Sequence, residues 1–106
     1  MQDSPFEPTI VHAASFPLSA LPAETQIVQQ VLDLLTGWRT RETLAGFAAN
    51  MTLAGQVTYT IGSEFKVYKA GDAWSAPAGT ALEEENSSAA TARVFRTSLL
   101  PKAAGR

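Results

Sequence analysis

Residues Gly71 to Asn86 read GDAWSAPAGTALEEEN and carry the strongest fold signal of the chain. Four of its residues are typical of turns: Gly71, Pro77, Gly79 and Asn86. Glycine permits backbone geometry that other residues resist, and an asparagine side chain can hydrogen-bond nearby backbone. The stretch therefore indicates short extended pieces joined by tight turns.

The spacing of these four residues resembles the second motif of the cupin superfamily. That motif is a glycine, five residues, Pro-x-Gly, two residues, a metal-binding histidine, three residues and an asparagine. Leu82 occupies the histidine position. An aliphatic side chain has no lone pair for a metal, so the resemblance implies a cupin barrel whose metal site has been lost.

The first cupin motif, His-x-His, three or four residues, Glu, six residues and Gly, can be anchored on Gly55. Its two histidine positions then hold Glu42 and Leu44, and its acidic position holds Ala48. With Leu82, three of the four ligand positions are apolar. A lone carboxylate without imidazole is a poor transition-metal site, so we expect neither a metal nor another cofactor.

The register of the first motif has one alternative. The spacing between Gly37 and Glu42 is one residue shorter than the usual pattern. A shift of one residue would place Thr43 and Ala45 at the histidine positions instead, and these residues also lack imidazole.

Pattern and resemblance together predict an all-β protein with the cupin double-stranded β-helix, a small barrel of the jelly-roll type. Residues 57–61 alternate apolar and hydroxyl side chains, and residues 65–67 continue the alternation after a turn, which is typical of a hairpin. Residues 92–100 are predicted to form a last strand. Residues 24–35 fit a helix by spacing, but the resemblance places a strand there.

The chain of 106 residues is expected to be one domain, with an N-terminal arm over 1–23, a barrel over 24–101 and a tail over 102–106. The net charge of −2, with no clustering of basic residues, argues against nucleic acid, and no long apolar run predicts a membrane span. Without a signal-like N-terminus, the expected location is the cytoplasm. In small cupins the arm often packs on a partner subunit, so the resemblance implies a homodimer.

The chain contains one histidine, His12, and no cysteine. One imidazole cannot build the metal site of a metal-dependent cupin, and His12 lies far in sequence from the motif. The same scarcity makes a Ser-His-Asp triad or a thiolate nucleophile a poor explanation of function.

Two carboxylates are candidate bases. Glu42 is the only ionisable side chain at the four ligand positions, and burial among Leu44, Ala48 and Leu82 would raise the pKa of its carboxyl and make it a stronger base. The competing interpretation is a solvated Glu42 paired with Arg39 or Arg41. Glu84 is the second candidate, because strand alternation places it on the face of Leu82.

The run from residue 43 to 49 is small or apolar and is typical of a pocket for a small apolar or aromatic molecule. The expected lining residues are Leu44, Phe47, Ala48, Asn50, Tyr59, Trp74 and Leu82. For the aromatic members, packing in the core is the competing interpretation.

Three functions compete at this point. The first is a metal-independent enzyme in which Glu42 removes a proton, as in a Kemp-type elimination or an isomerisation. The second is a binding or structural cupin without catalysis, and the third, by fold analogy alone, is a metal-dependent oxygenase. The chain is either a natural metal-free cupin or an engineered one emptied of its metal.

Overall fold

The computed structural model describes residue 9, residues 12–18, residue 21 and residues 23–102. Within this part of the chain the regular structure consists of eight strands. They are β1 (Thr25–Leu34), β2 (Arg39–Thr43), β3 (Phe47–Ala54), β4 (Gln56–Ile61), β5 (Glu64–Lys69), β6 (Ala73–Ala76), β7 (Ala81–Glu85) and β8 (Ala92–Pro101).

The strands form two antiparallel four-stranded sheets. The first has the order β1-β8-β3-β6 and the second the order β2-β7-β4-β5. Most connections cross from one sheet to the other, and the inner faces of the two sheets enclose the core. The predicted all-β jelly-roll barrel is confirmed.

Strand β1 resolves the helix-or-strand ambiguity of residues 24–35. It pairs with β8 along its whole length, from Thr25 opposite Pro101 to Leu34 opposite Ala92. Its apolar residues lie on both faces of the sheet. Leu34 is buried in the core, whereas Ile27 and Val31 are exposed on the outer face. A strand that is apolar on both faces mimics the spacing of a helix, and this explains the misleading pattern.

The predicted hairpin and last strand are both present. Strands β4 and β5 pair from Gln56 opposite Lys69 to Ile61 opposite Glu64. Strand β8 is the central scaffold of the first sheet, because it pairs with β1 on one side and β3 on the other. Its inward side chains therefore lie in the middle of the barrel wall.

The motif that identified the fold acts as turn scaffold. Gly71 and Gly79 have φ values of 94° and 86°, in the region that favours glycine. The buried amide of Asn86 donates to the carbonyl oxygens of Leu34 and Ala90, both at 2.8 Å, and accepts from Ser88. Asn86 thus joins the end of β1 to the loop before β8.

Part of the predicted arm and tail lies outside the described residues. Of the expected arm, only residues 9, 12–18, 21 and 23 are described, and residues 103–106 of the expected tail are not described. Residues 14–16 are described and pair with neither sheet. Within the described ranges, no helix has the length and apolar character needed to cross a membrane.

Candidate functional site

A cavity of about 280 Å³ opens between the two sheets at the mouth of the barrel. Strands β1, β3 and β8 form one wall, and β2 with the segment that follows it forms the other. The lining side chains include Gln30, Glu42, Leu44, Ala48, Arg96 and Ser98. The volume is near the lower end of the range of about 300–1,000 Å³ that is usual for small-molecule pockets.

The positions matched to metal ligands meet at this cavity. Glu42, Leu44 and Ala48 line it, and the buried Leu82 lies directly opposite Glu42 in the pairing of β2 with β7. Only one of these four side chains carries a donor atom. Among the described residues, no group of three or more His, Cys, Asp or Glu side chains is arranged to hold a metal. This residue set does not fit a metal ion.

The expected burial of Glu42 is corrected by the structure. Its side chain lines the cavity but is exposed. The reason is that β2 is the edge strand of its sheet and pairs only with β7, so that no described strand covers its open side. Arg39 and Arg41 do not pair with Glu42, because both contact Glu83 instead, at 3.5 Å and 3.1 Å.

Glu84 is the buried carboxylate of the barrel. Its side chain is fully buried on the face it shares with Leu82, as strand alternation predicted. Burial raises the pKa of the Glu84 carboxyl, and the neighbouring charge of Arg96 opposes that shift. Glu84 is not among the residues that line the cavity.

Arg96 connects the cavity with this buried carboxylate. Its Nη2 donates to Oε2 of Glu84 at 2.5 Å and to the hydroxyl of Tyr59 at 3.3 Å. Its Nε donates to Oδ1 of Asn50 at 2.6 Å. The guanidinium is therefore held by three neighbours while its side chain still contacts the cavity.

Arg96 is a residue of the site that none of the sequence motifs contains. The signal was present, because Arg96 has the same strand parity as Ala92 and Val94, which are both completely buried. A charged residue at an inward position of a central strand requires a partner. Strand alternation also predicts that its partner, Glu84, points inward.

The predicted aromatic lining residues form core contacts. Trp74 stacks on Tyr68 with ring centroids 4.2 Å apart, and the edge of Tyr59 meets Trp74 at 5.3 Å. Both Tyr59 and Trp74 are buried, and burial is the main cause that raises the pKa of Tyr59 to about 12. The structure supports the interpretation of these two side chains as core residues.

Phe47 and Asn50 also differ in place from the expected pocket. Phe47 has the opposite strand parity to Ala48, and it lines a separate depression with Pro17 and Leu18 of the N-terminal segment. Asn50 is buried behind Arg96, which it holds in position. Neither residue lines the cavity at the barrel mouth.

The side chains of Asn50, Tyr59, Trp74, Glu84 and Arg96 form an interior layer behind the cavity. Three buried polar atoms of this interior layer lack a hydrogen-bond partner among the described residues: Oε1 of Glu84, Nδ2 of Asn50 and Nε1 of Trp74. Unpaired buried polar atoms are rare in native proteins. They show that the layer around Arg96 has hydrogen-bonding capacity that its own side chains do not use.

His12 lies apart from the cavity at the barrel mouth. Its side chain is exposed, and it lines a depression of about 400 Å³ with Met51, Phe95 and Thr97. These strand residues have the opposite parity to Asn50 and Arg96, and so belong to the outer face of the first sheet. His12 is not placed to serve the barrel mouth.

Comparison with known proteins identifies the fold. No known family matches the chain by sequence, and no curated protein matches it. Among solved structures, the protein TT1209 from Thermus thermophilus superposes with a TM-score of 0.63 at 25% identity, covering 79% of this chain and 82% of its own.

Structures described as cupins give similar values. The Cupin_2 domain of an XRE family transcriptional regulator from Enterobacter cloacae has a TM-score of 0.63 at 15% identity, covering 72% of this chain and 83% of its own. The cupin domain of Schizosaccharomyces pombe Cnp3 has a TM-score of 0.65 at 14% identity, covering 74% of this chain. The chain spans 59% of the Cnp3 structure and 56% of a relative from Salmonella typhimurium. The chain therefore has the fold of these cupin structures, as its second motif predicted.

Proposed function

We propose that this protein is a metal-independent cupin that binds a small, largely apolar or aromatic molecule at the mouth of its barrel. The observation that carries the proposal is the cavity of about 280 Å³ lined by Glu42, Leu44 and Ala48. These are three of the positions at which metal-binding members of the fold are expected to hold their ligands.

The open cavity favours binding over a purely structural role. In a structural cupin we expect the barrel interior to be filled by its own side chains. Here the aromatic side chains Tyr59, Tyr68 and Trp74 pack on one another and leave the mouth to small residues such as Ala48 and Ser98. The cavity wall combines apolar residues such as Leu44 with polar side chains such as Thr43 and Ser98, and polar groups that fix the orientation of a ligand are part of a usual binding pocket.

Filling the cavity should abolish binding. Toluene, benzamide and benzoate serve as single-ring probes, and their binding is followed by chemical-shift changes of the backbone amides around Leu44 and Ala48. We expect at least one probe to bind the wild type, and Leu44→Trp to weaken that binding by about tenfold or more because the new ring occupies the cavity.

The matched control is Leu53→Trp, which adds the same ring at a position that is 40% exposed and outside the cavity. It should leave binding unchanged. If no probe shifts the amides of the cavity, or if Leu44→Trp binds as tightly as the wild type, the structural alternative is correct.

Proton abstraction by Glu42 is the second function we propose, because its carboxylate lines the same cavity as Leu44 and Ala48. The side chain is exposed in the free protein, so a bound ligand would have to provide the desolvation that strengthens a base. In a Kemp-type elimination the base takes the proton from the substrate carbon while the N–O bond breaks to release a phenolate, and in an isomerisation the protonated base returns the proton to a second carbon.

Turnover of an activated benzisoxazole tests this activity. Glu42→Gln should lower the rate by about 10²-fold, which is the usual size of general-base catalysis. Glu64→Gln removes an exposed carboxylate outside the cavity and should leave the rate unchanged. A wild type no faster than acetate buffer would leave binding as the function, and equal rates of wild type and Glu42→Gln would exclude Glu42 as the base.

The homodimer implied by the family resemblance stays a prediction. Sedimentation equilibrium of the full chain tests it, and a homodimer should give twice the molar mass of a single chain.

A further inference from the structure

The cavity at the barrel mouth has a mixed wall, in which Gln30, Glu42, Thr43 and Ser98 add polar groups, and one of its donors is held in place by buried neighbours. Leu44, Ala48 and Leu100 supply apolar surface, and Arg96 contributes a guanidinium from the interior layer. Its side chain is only 14% exposed. Because Arg96 lines the cavity, a ligand that fills the cavity contacts the Arg96 side chain.

The hydrogen bonds of Arg96 leave one of its nitrogens available. Nε and Nη2 are bound to Asn50, Tyr59 and Glu84. Among the described residues, Nη1 has no hydrogen-bond partner. Because three neighbours fix the plane of the guanidinium, Nη1 needs no rearrangement before it donates to a ligand.

The charges around the cavity argue against an anionic ligand. Glu84 already compensates Arg96 at 2.5 Å, and Glu42 adds a second carboxylate at the cavity wall. A ligand carboxylate would meet two negative groups for one positive group. A pure hydrocarbon would instead cover Nη1 without offering it an acceptor, and an unmade hydrogen bond of a charged donor is costly.

We propose that the cavity selects small uncharged carbonyl compounds, whose oxygen accepts a hydrogen bond from Nη1 of Arg96. Arg96 is then the residue that determines specificity, with Asn50, Tyr59 and Glu84 holding it in place. This inference rests on the proposed binding function, and it defines the chemical class of the ligand.

The test compares three probes with the same ring: benzamide, benzoate and toluene. Benzamide should bind the wild type at least about tenfold more tightly than either of the others, which is the effect of one hydrogen bond to a charged donor. Addition of benzamide should also shift the side-chain nitrogen signals of Arg96 in a ¹⁵N spectrum.

The variant test replaces both partners of the buried pair, since removing Arg96 alone would leave Glu84 buried without compensation. In Glu84→Leu/Arg96→Met the preference should disappear, so that benzamide and toluene bind with about equal dissociation constants. The matched control is Asp33→Leu/Arg93→Met, which removes an exposed ion pair from the contact of β1 with β8. This control should keep the preference of the wild type.

Three results would overturn the inference and leave the binding function intact: toluene binding as tightly as benzamide, benzoate binding more tightly, or a folded double variant that keeps the preference. Unchanged Arg96 nitrogen signals in the wild type saturated with benzamide would overturn it independently of any variant. Absence of binding by all three probes would refute the proposed function and this inference together.

Discussion

Arg96→Met is expected to lower the free energy of unfolding by about 3–5 kcal/mol, the usual cost of removing one partner from a buried ion pair. The fully buried Glu84 would lose its only ionic partner within hydrogen-bond distance among the described residues. Asn50 and Tyr59 would lose a hydrogen bond each. Urea denaturation of wild type and variant at neutral pH measures the difference.

The same experiment has an internal control and a rescue. Arg93→Met removes an exposed arginine of the same strand, whose partner Asp33 is also exposed, and should have little effect. Glu84→Leu/Arg96→Met should recover most of the loss, because apolar replacement of a whole buried pair is often neutral or stabilising. If Arg96→Met is as stable as Arg93→Met, the interior pair does not support the barrel.

Gly46→Ala is expected to lower the free energy of unfolding by about 3 kcal/mol or more, because an added Cβ meets the backbone of β8. The new atom would overlap the carbonyl oxygen of Leu99 and lie 2.9 Å from its carbonyl carbon. Backbone atoms cannot rotate away as a side chain can. Strands at the cavity wall must therefore separate, and urea denaturation should report the loss.

Gly79→Ala separates steric overlap from backbone strain. Gly79 has a positive φ of 86° but open space around its missing side chain, so its replacement should cost only about 1 kcal/mol. The φ of Gly46 is not positive, so the cost of replacing it is purely steric. Equal stabilities of Gly46→Ala and Gly79→Ala would contradict the close approach of Gly46 to β8.

The fold was largely predictable because its signals are local. Gly71, Gly79 and Asn86 specify turns through their own backbone and side-chain chemistry, and the structure places them in those roles. The alternation of residues 57–61 reflects a strand with one face in the core. Local periodicity gave a misleading prediction in β1, whose apolar spacing resembles that of a helix. The cause is that Ile27 and Val31 add apolar residues to the outer face, where a half-buried strand is polar.

The site was predictable only in part. The positions of Glu42, Leu44 and Ala48 at one cavity followed from motif spacing, and the inward direction of Glu84 followed from strand parity. Whether a carboxylate is buried depends on which strand is at an edge of its sheet. That order, β2 at an edge and β7 inside, results from pairing between segments distant in sequence.

Residue types at fixed spacings were thus enough to predict the barrel fold and its turns, and they aligned Leu44, Ala48 and Leu82 with the metal-ligand positions of the motif. The exposure of Glu42, the complete burial of Glu84 and the contact of Arg96 with both Glu84 and the cavity became visible only in the folded structure. The physical reason is that burial and ion pairing are properties of two facing sheets. Arg96 on β8 meets Glu84 on β7 only after β8 has paired with β3 and β7 with β4, and no single strand carries that information.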